Sequence, residues 1–332
     1  MGGLEVLFLN LSDVQSILSM EDALKAVEEA FREKGLGRVQ MPPKLYVYFP
    51  RYGGDFRVMP AYLEKTGVAG VKTVNVHPKN PKLYGLRTVM AIIELLDPKT
   101  GAPLCIMDGS WLTAMRTGAA GGVAAKYLAR RDSRVVGLVG AGVQARTQLE
   151  ALNLVLNSIE RVKVFDIVEE AVLRYAREMS KRLGLDVEPV SSVEEAVRGA
   201  DVVVSTTPSK SPVVMDEWIG EGVHINAIGA DAPGKQELDP KILRRAKIVV
   251  DDMEQAVHSG EVNVPISQGL LSTSDIYAEI GDIVTGRKPG RVSPYEITVF
   301  DSTGLAIQDI AVAWTVYRRA LESGVGLRLK LI

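Results

Sequence analysis

Two kinds of hydrophobic pattern divide the 332-residue chain into two regions. Residues 1–115 contain short apolar runs separated by turn residues, with few helical patterns between them. Such runs predict an antiparallel or mixed sheet. From residue 116 to 304 the apolar runs alternate with helical patterns, which predicts a doubly wound parallel sheet. The runs of the first region are Leu4–Leu9, Lys44–Phe49, Phe56–Ala61, Val68–Val76, Thr88–Leu96 and Pro103–Met107.

A long helical pattern at Leu305–Glu322 presents an apolar stripe and stops before Gly324, so we expect it to return to the first region. The expected fold class is therefore α/β. A Rossmann-type domain spans residues 116–304, and a second, α+β domain is built from residues 1–115 and 305–332. Two local predictions follow from the pattern: Ser302 caps the long helix, and the segment Ser272–Gly286 is helical.

The stretch RVVGLVGAGVQAR at residues 134–146 carries the clearest chemical signal. It reads G-x-G-x-x-A between an apolar strand and a helix, with Gly140, Gly142 and Ala145 at the three positions. Glycines here allow a tight turn and a close approach to a pyrophosphate at the helix N-terminus. Asp166 ends the next strand, where an acid commonly binds ribose hydroxyls. Ile167 follows with no adjacent arginine for a 2′-phosphate, which favours NAD over NADP.

Other polar residues follow strands of the same sheet. Thr206, Thr207 and the segment 228–231, Ile-Gly-Ala-Asp, come at such strand ends. Because ligands bind at the carboxyl ends of parallel strands, Asp231 is expected at the cofactor crevice. An equally good interpretation of Asp231 from the residues alone is a helix cap or a turn acid ahead of Pro233.

Composition excludes several classes of protein. The formal net charge of −2 gives no support for nucleic-acid binding. The single cysteine, Cys105, lies in an apolar run and is expected in the core, and three scattered histidines show no metal-ligand spacing. No metal site is therefore expected. No signal peptide or membrane span is evident, so a cytoplasmic protein is the default expectation.

Three cations stand in unusual places in the first region. Lys72 interrupts VAGVKTVNV, a run otherwise suited to a buried strand, while Lys44 and Arg57 lie on or beside neighbouring strands. Lys72 could face water on an edge strand, or it could line a cleft with a lowered pKa, able to move protons or bind a carboxylate. For Lys44, Arg57 and Arg116 the residues alone favour a solvated surface.

Several long strings together resemble the ornithine cyclodeaminase/mu-crystallin family, from about Leu9 to Leu327. They are GAGVQA, VKTVNVHPKNP, MRTGAAGGVAAKYLA, NAIGADAPGKQEL and FDSTGLAIQD. The resemblance implies a Rossmann domain for NAD and a domain for substrate binding and dimerisation built from both chain ends. It also implies a homodimer.

The resemblance further implies a role for individual residues. Arg57, assisted by Lys44, would hold the substrate carboxylate. Lys72 and Asp231 would be the catalytic groups that move protons at the amine or at the attacking water. The implied cofactor-binding residues are Arg116, Thr117, Gly140, Gly142, Val143, Gln144, Asp166, Thr206, Thr207, Ile228, Gly229, Ala230, Lys235 and Ser302.

The implied activity is that of an NAD-dependent amino-acid dehydrogenase acting on a small amino acid or its 2-oxo acid, with L-alanine as the first candidate. Three alternatives stay open within the resemblance. The chain could be an ornithine cyclodeaminase, which forms L-proline and ammonia, a reductase of cyclic ketimines, or a ligand-binding protein of the mu-crystallin branch. The residues that would contact the substrate side chain come from several segments, so the sequence does not assign them.

Overall fold

The computed structural model describes residues 3–331, which form two compact units. The first unit contains the chain up to Arg116 and again from Leu305, and the second contains Thr117–Gly304. In chain order the strands are β1 Glu5–Leu9, β2 Val39–Gln40, β3 Leu45–Phe49, β4 Gly54–Leu63, β5 Val68–Val76, β6 Val89–Leu96, β7 Pro103–Asp108, β8 Val135–Val139, β9 Arg161–Phe165, β10 Asp186–Pro189, β11 Val202–Ser205, β12 His224–Ala227, β13 Lys247–Val250, β14 Ile276–Glu279, β15 Thr298–Asp301 and β16 Leu327–Lys330.

The helices show the same division between the two units, with the boundary falling inside α4. They are α1 Leu11–Ile17, α2 Met20–Gly35, α3 Asn80–Tyr84, α4 Ser110–Leu128, α5 Val143–Val155, α6 Glu169–Leu183, α7 Val193–Val197, α8 Pro240–Arg245, α9 Met253–Ser259, α10 Asn263–Ser267, α11 Ile280–Val284 and α12 Ala306–Ser323. No helix within residues 3–331 is long and apolar enough to cross a membrane.

The first unit is built on a mixed sheet with the strand order β16-β1-β7-β6-β5-β4-β2, and β3 pairs with β4. Strand β1 runs parallel to β7, and the other pairs are antiparallel. Strand β5 lies between β4 and β6, and its even-numbered residues from Val68 to Val74 are buried. Helix α12 packs on β4, β5, β6 and α2. Gly70 permits this packing because a Cβ there would lie 2.9 Å from Ile310 Cδ1.

The second unit is a fully parallel eight-stranded sheet with the order β10-β9-β8-β11-β12-β15-β13-β14. The doubly wound Rossmann-type prediction is thereby confirmed. The strand order reverses between β8 and β11, which is where such sheets bind nucleotides. Strands buried on both faces need near-continuous apolar sequences, and β8 and β11 have them as VVGLV and VVVS.

Two local predictions were wrong. Within Ser272–Gly286 the chain forms a 3₁₀ turn, then strand β14, and only then the short helix α11. The four residues of β14 alternate between buried and half-buried positions and extend the sheet beside β13, so their period is two rather than 3.6. Ser302 does not cap α12, because Gly304, at φ +78°, turns the chain first. Instead Gln308 Oε1 accepts from the Leu305 N–H at 3.3 Å.

The core position predicted for Cys105 is confirmed. Its side chain lies on β7 and is fully buried, and this burial raises the pKa of the thiol to about 12. A thiol with such a pKa is protonated at neutral pH and has little nucleophilic character.

Candidate active site

Lys72 lies on the buried face of β5, and its side chain is 1% exposed. Its register partners across β4 and β6 are Met59 and Ile93, both buried apolar residues. The interpretation of Lys72 as an edge-strand residue facing water is therefore wrong. A lysine in such a position requires a charged partner or a lowered pKa, because burying an unpaired ammonium is costly.

The partner of Lys72 is Asp309, from the first turn of α12. The Lys72 Nζ–Asp309 Oδ2 distance is 2.6 Å, so the two side chains form an ion pair. Arg116, on α4, donates from Nε to Asp309 Oδ1 at 2.9 Å and from Nη1 to Gln308 Oε1 at 3.0 Å. One buried carboxylate thus contacts two buried cations.

The electrostatics of this group place the titration midpoint of Lys72 near physiological pH. The pKa of Lys72 is lowered from 10.5 to about 7, chiefly by burial. The positive charges of Arg116 and Lys44 contribute to the lowering, and the Asp309 carboxylate opposes it. A lysine with a pKa near the working pH can both accept and release a proton.

Arg57 lies on β4 and shares the buried face of this sheet, with 6% of its surface exposed. Its guanidinium donates to Asp55 from Nε at 2.8 Å and from Nη2 at 3.1 Å, and it lies 5.2 Å from the ring centroid of Tyr46. The guanidinium therefore already holds a carboxylate in two-pronged fashion. Lys44 precedes β3 and is half-buried. The charges of Lys44 and Arg116 act on Lys72, and Arg57 lies on the same face of the sheet. The residues alone had favoured a solvated surface for Lys44, Arg57 and Arg116.

The glycine-rich loop of the second unit is shaped for a phosphate-bearing ligand. Gly140 has φ +104°, which favours glycine, and a Cβ there would lie 2.7 Å from Thr206 Oγ1. Gly142 is the N-cap of α5 and offers no side-chain cap, and a Cβ there would meet no atom within 4 Å. Val143, the first residue of α5, is 58% exposed. The N-terminus of this 13-residue helix is therefore open to an anionic ligand.

Asp166 follows β9 and borders this loop. Its carboxylate accepts from the Ala141 N–H at 2.8 Å and from the Val168 N–H at 3.0 Å. A carboxylate oxygen has capacity for a further hydrogen bond, so Asp166 can also accept from hydroxyl groups. A cleft of about 460 Å³ opens beside it, lined by Phe165, Asp166, Ile167, Glu169, Val172, Leu173, Pro189, Val190 and Ser191.

The loops after β11 and β12 are joined by a buried carboxylate, Glu237. It accepts from the Ser205 hydroxyl and the Thr207 N–H, and from the Gly229 N–H at 2.7 Å. Burial raises the pKa of Glu237, and these hydrogen bonds oppose the effect. Glu237 thereby fixes the backbone of two predicted cofactor-binding segments. Ile228 and Ala230, the residues on either side of Gly229, are buried.

Asp231 and Lys235 form an ion pair, with Lys235 Nζ 2.5 Å from Asp231 Oδ1 and 3.3 Å from the Gly229 carbonyl oxygen. The Asp231 side chain is about one-third exposed. Two further polar atoms, Ser302 Oγ and Gln144 Oε1, are buried without a hydrogen-bond partner among residues 3–331. Buried polar atoms of this kind are normally satisfied, so they fit a site that binds a polar ligand. The second unit thus fits a dinucleotide.

Two predicted cofactor-binding residues, Arg116 and Thr117, lie on either side of the unit boundary. Arg116 belongs to the ion cluster of the first unit, whereas the Thr117 carbonyl accepts from Gln148 Nε2 at 2.8 Å in the second. Within residues 3–331 no group of three histidine, cysteine or acidic side chains is placed to hold a metal ion.

Sequence reasoning missed several supporting residues. Asp309 and Gln308 lie within the string FDSTGLAIQD but were not assigned a role. Arg146, the last residue of the glycine motif stretch, donates from Nη1 to the carbonyl oxygens of Ala141 at 2.7 Å and Gly142 at 3.0 Å. An acid on the apolar stripe of a helix, or an arginine directly after a glycine motif, is the signal that could have found them.

The comparison with known proteins covers nearly the whole chain. Residues 5–324 match the model of the ornithine cyclodeaminase/mu-crystallin family. The chain belongs to this family. It is 54% identical to the alanine dehydrogenase of Archaeoglobus fulgidus, over 98% of this chain and 99% of the relative.

Two solved structures of the family are similar along their full length. An archaeal alanine dehydrogenase dimer with bound NAD matches with a TM-score of 0.95 and 53% identity, covering 99% of this chain and 100% of that one. The Thermococcus litoralis Δ1-pyrroline-2-carboxylate reductase, in complex with NADH and L-proline, also matches with a TM-score of 0.95, at 43% identity, covering 98% and 100%. The family therefore includes at least two activities on this fold.

Proposed function

We propose that this chain is an NAD-dependent dehydrogenase that interconverts L-alanine with pyruvate and ammonia. The observation that carries the proposal is its 54% identity, over nearly the full length of both chains, to an alanine dehydrogenase. At the coarser level the chain is an NAD-dependent oxidoreductase of its family. The uncapped helix α5, Asp166 and the buried Ser302 hydroxyl support dinucleotide binding in the second unit.

The first unit supplies the groups for the amino acid. We assign the substrate carboxylate to Arg57, assisted by Lys44, because Arg57 already binds the Asp55 carboxylate with two nitrogens. A planar guanidinium gives orientation as well as charge, which holds Cα in a fixed position. Asp55 must share Arg57 with the substrate or yield its place.

Lys72 handles the proton of the amine. An α-ammonium group cannot release hydride from Cα until it has lost a proton, and a lysine with a pKa of about 7 accepts that proton at physiological pH. NAD, when bound, supplies the hydride acceptor. The resulting imine is hydrolysed by water, and we assign the proton transfers of that step to Asp231 and Lys72 together. The products are pyruvate, ammonium, NADH and one proton.

A second candidate is the reduction of a cyclic imine such as Δ1-pyrroline-2-carboxylate. It is favoured by the equally high TM-score of the reductase structure, at the lower identity of 43%. The same residues would serve it, since Arg57 would bind the carboxylate and Lys72 would deliver a proton to the imine nitrogen. The two activities differ in whether water attacks the carbon after hydride removal.

The test is a substrate panel followed at the absorbance band of NADH. Purified protein is mixed with NAD and L-alanine, L-ornithine or L-proline, and with NADH and either pyruvate plus ammonia or Δ1-pyrroline-2-carboxylate. We expect stoichiometric NADH from L-alanine and NADH consumption with pyruvate and ammonia. Ammonia release from ornithine without accumulating NADH would indicate a cyclodeaminase. Turnover of the cyclic imine alone would indicate the reductase, and silence throughout would indicate a binding protein.

The solved alanine dehydrogenase is a dimer, and we propose that this chain is also a homodimer, with the first unit carrying the contacts. Light scattering after size-exclusion chromatography should give about twice the 36.0 kDa chain mass. We expect the enzyme to act in the cytoplasm, where its amino-acid and dinucleotide substrates are available.

A further inference from the structure

Asp309 lies behind Lys72. It is the fourth residue of α12, is fully buried, and lies on the helix face that packs against the buried face of the sheet. A buried carboxylate is costly unless cations or hydrogen-bond donors compensate it, and the first turn of a helix is a favourable place for one. A carboxylate at this position therefore requires cations or hydrogen-bond donors next to it.

Both oxygens of this carboxylate contact cations. Oδ2 lies 2.6 Å from Lys72 Nζ, and Oδ1 accepts from Arg116 Nε at 2.9 Å. Gln308, the residue before Asp309, holds Arg116 through a second contact of 3.0 Å. Lysine has four rotatable side-chain bonds, so an unanchored amino group could adopt many positions. The Asp309 contact confines it to one.

The charges in the group explain why this contact matters for proton transfer. Three charged groups act on the pKa of Lys72: the Asp309 carboxylate raises it, and the cations Arg116 and Lys44 lower it. Burial lowers that pKa to about 7, and Asp309 is the group that keeps it from falling further. Without Asp309 the pKa of Lys72 would be lower, so a smaller fraction of the lysine would carry a proton at neutral pH.

We propose that Asp309 is the positioning residue of the reaction: it fixes the Lys72 amino group and, together with Arg116, maintains the charge balance in which Lys72 exchanges protons near neutral pH. Asp309 acts through Lys72 and not on the substrate, because its two oxygens are engaged by Lys72 and Arg116. This inference deepens the proposed function and rests on Lys72 being the proton-transfer group.

The test compares Asp309→Asn with a matched control, Asp22→Asn. Asp22 is also a buried carboxylate of the first unit, and it pairs with Arg319 of α12. We expect D309N to lower kcat for L-alanine oxidation at neutral pH at least about tenfold and to move the acidic limb of the pH profile to lower pH. D22N should lose thermal stability but keep the wild-type profile. Equal profiles for the wild type and D309N would overturn the proposal.

A second readout does not need turnover. The protein is labelled with ¹³C at the lysine ε carbons, and the Lys72 signal is assigned as the one absent from Lys72→Met. We expect it to titrate near pH 7 in the wild type and at least one pH unit lower in D309N, with no change in D22N. An unchanged midpoint in D309N would contradict the inference. If the wild type fails to oxidise alanine while this titration behaves as expected, the proposed substrate is wrong but the coupling of Asp309 to Lys72 holds.

Asp309→Glu serves if D309N does not fold. It keeps the negative charge but displaces it by one methylene group. We expect kcat to fall at least about tenfold while the Lys72 signal still titrates near 7, since position is lost and charge is kept. An unchanged kcat in D309E would overturn the positioning role.

Discussion

Lys72 in the first unit and His224 in the second are buried titratable side chains on interior strands, at 1% and 0% exposure. Lys72 is bound by a carboxylate and accompanied by further cations. His224 is bound by neutral groups, with Nε2 3.0 Å from Asn226 Oδ1 and Nδ1 2.9 Å from Thr298 Oγ1. Burial lowers the pKa of both, to about 7 for Lys72 and to about 3 for His224.

The difference shows what burial does to the pKa of a group that no carboxylate accompanies: the nearby Arg291 charge lowers the pKa of His224 as well. A histidine with a pKa of about 3 is neutral at any pH where the protein works, so it contributes hydrogen bonds and no proton transfer. For Lys72, the Asp309 carboxylate offsets part of the burial effect and leaves the lysine close to its midpoint at neutral pH. A buried ionisable group thus becomes chemically useful when a charged partner balances the cost of burying it.

The largest expected difference between Lys72 and His224 is the loss of activity when each is replaced by a side chain that cannot be protonated. Lys72→Met is expected to lower kcat/KM for L-alanine by about 10²–10⁴-fold, the usual loss of a general acid–base group. His224→Gln should retain activity within a few-fold. Steady-state kinetics measure both, and NADH binding by fluorescence should be unchanged in K72M. The exposed Lys99→Met, in the β6–β7 turn, is the matched control. A K72M enzyme with more than about a tenth of wild-type activity would remove Lys72 from the mechanism.

The pH dependence of stability should separate the two residues next. The unfolded chain protonates His224 near pH 6.5, whereas the folded chain resists protonation until about pH 3. The unfolded state therefore binds more protons below pH 6.5, and the free energy of unfolding falls as the pH decreases through this window. The loss from this residue is on the order of 2–3 kcal/mol by about pH 4.5.

Lys72 affects stability in the same direction but in the alkaline pH range. Its folded pKa of about 7 lies below the unfolded value of 10.5, so this residue makes the free energy of unfolding rise with pH between those values. Urea unfolding across the pH range should show that H224Q flattens the acid side only and K72M the alkaline side only. An acid-side slope that survives in H224Q would mean that another group is responsible.

The smallest expected effects come from two glycines of the second unit. Gly140→Ala should cost about 1–3 kcal/mol of stability, because φ is positive there and the new Cβ would lie 2.7 Å from Thr206 Oγ1.

Gly142→Ala should leave the melting temperature unchanged, because φ is −82° and no atom lies within 4 Å of a Cβ. G142A should nevertheless weaken NAD binding about tenfold or more, because the methyl group would stand where a pyrophosphate approaches. Calorimetry can measure both properties. Unimpaired NAD binding by G142A would argue against the loop as the phosphate site.

Much of the fold could be predicted because its signals are local. The parallel sheet followed from alternating strand and helix patterns, and Lys72 stood out because a cation interrupted a β-branched run. Strand β14 was missed because four residues at a sheet edge carry too little pattern to outweigh the helical neighbours, and their pairing with β13 decides their conformation.

The partners of the candidate site were harder to predict than its principal residues. Asp309 is separated from Lys72 by more than 200 residues of sequence, so the ion pair exists only once α12 packs on the sheet. From the pattern alone, an acid early in a helix is explained by the helix dipole. The Arg57–Asp55 pair is closer in sequence, but only alternation on β4 places the two side chains together.

The most direct test of the account is the pH dependence of kcat/KM for L-alanine oxidation by the wild-type enzyme, measured with saturating NAD. Because this parameter reports ionisations of the free enzyme and free substrate, it should rise through a midpoint near 7 as Lys72 loses its proton. The separately measured titration of free alanine must be subtracted. A profile that only follows free alanine, with no enzyme group near neutrality, would contradict the assignment of Lys72 as the proton acceptor.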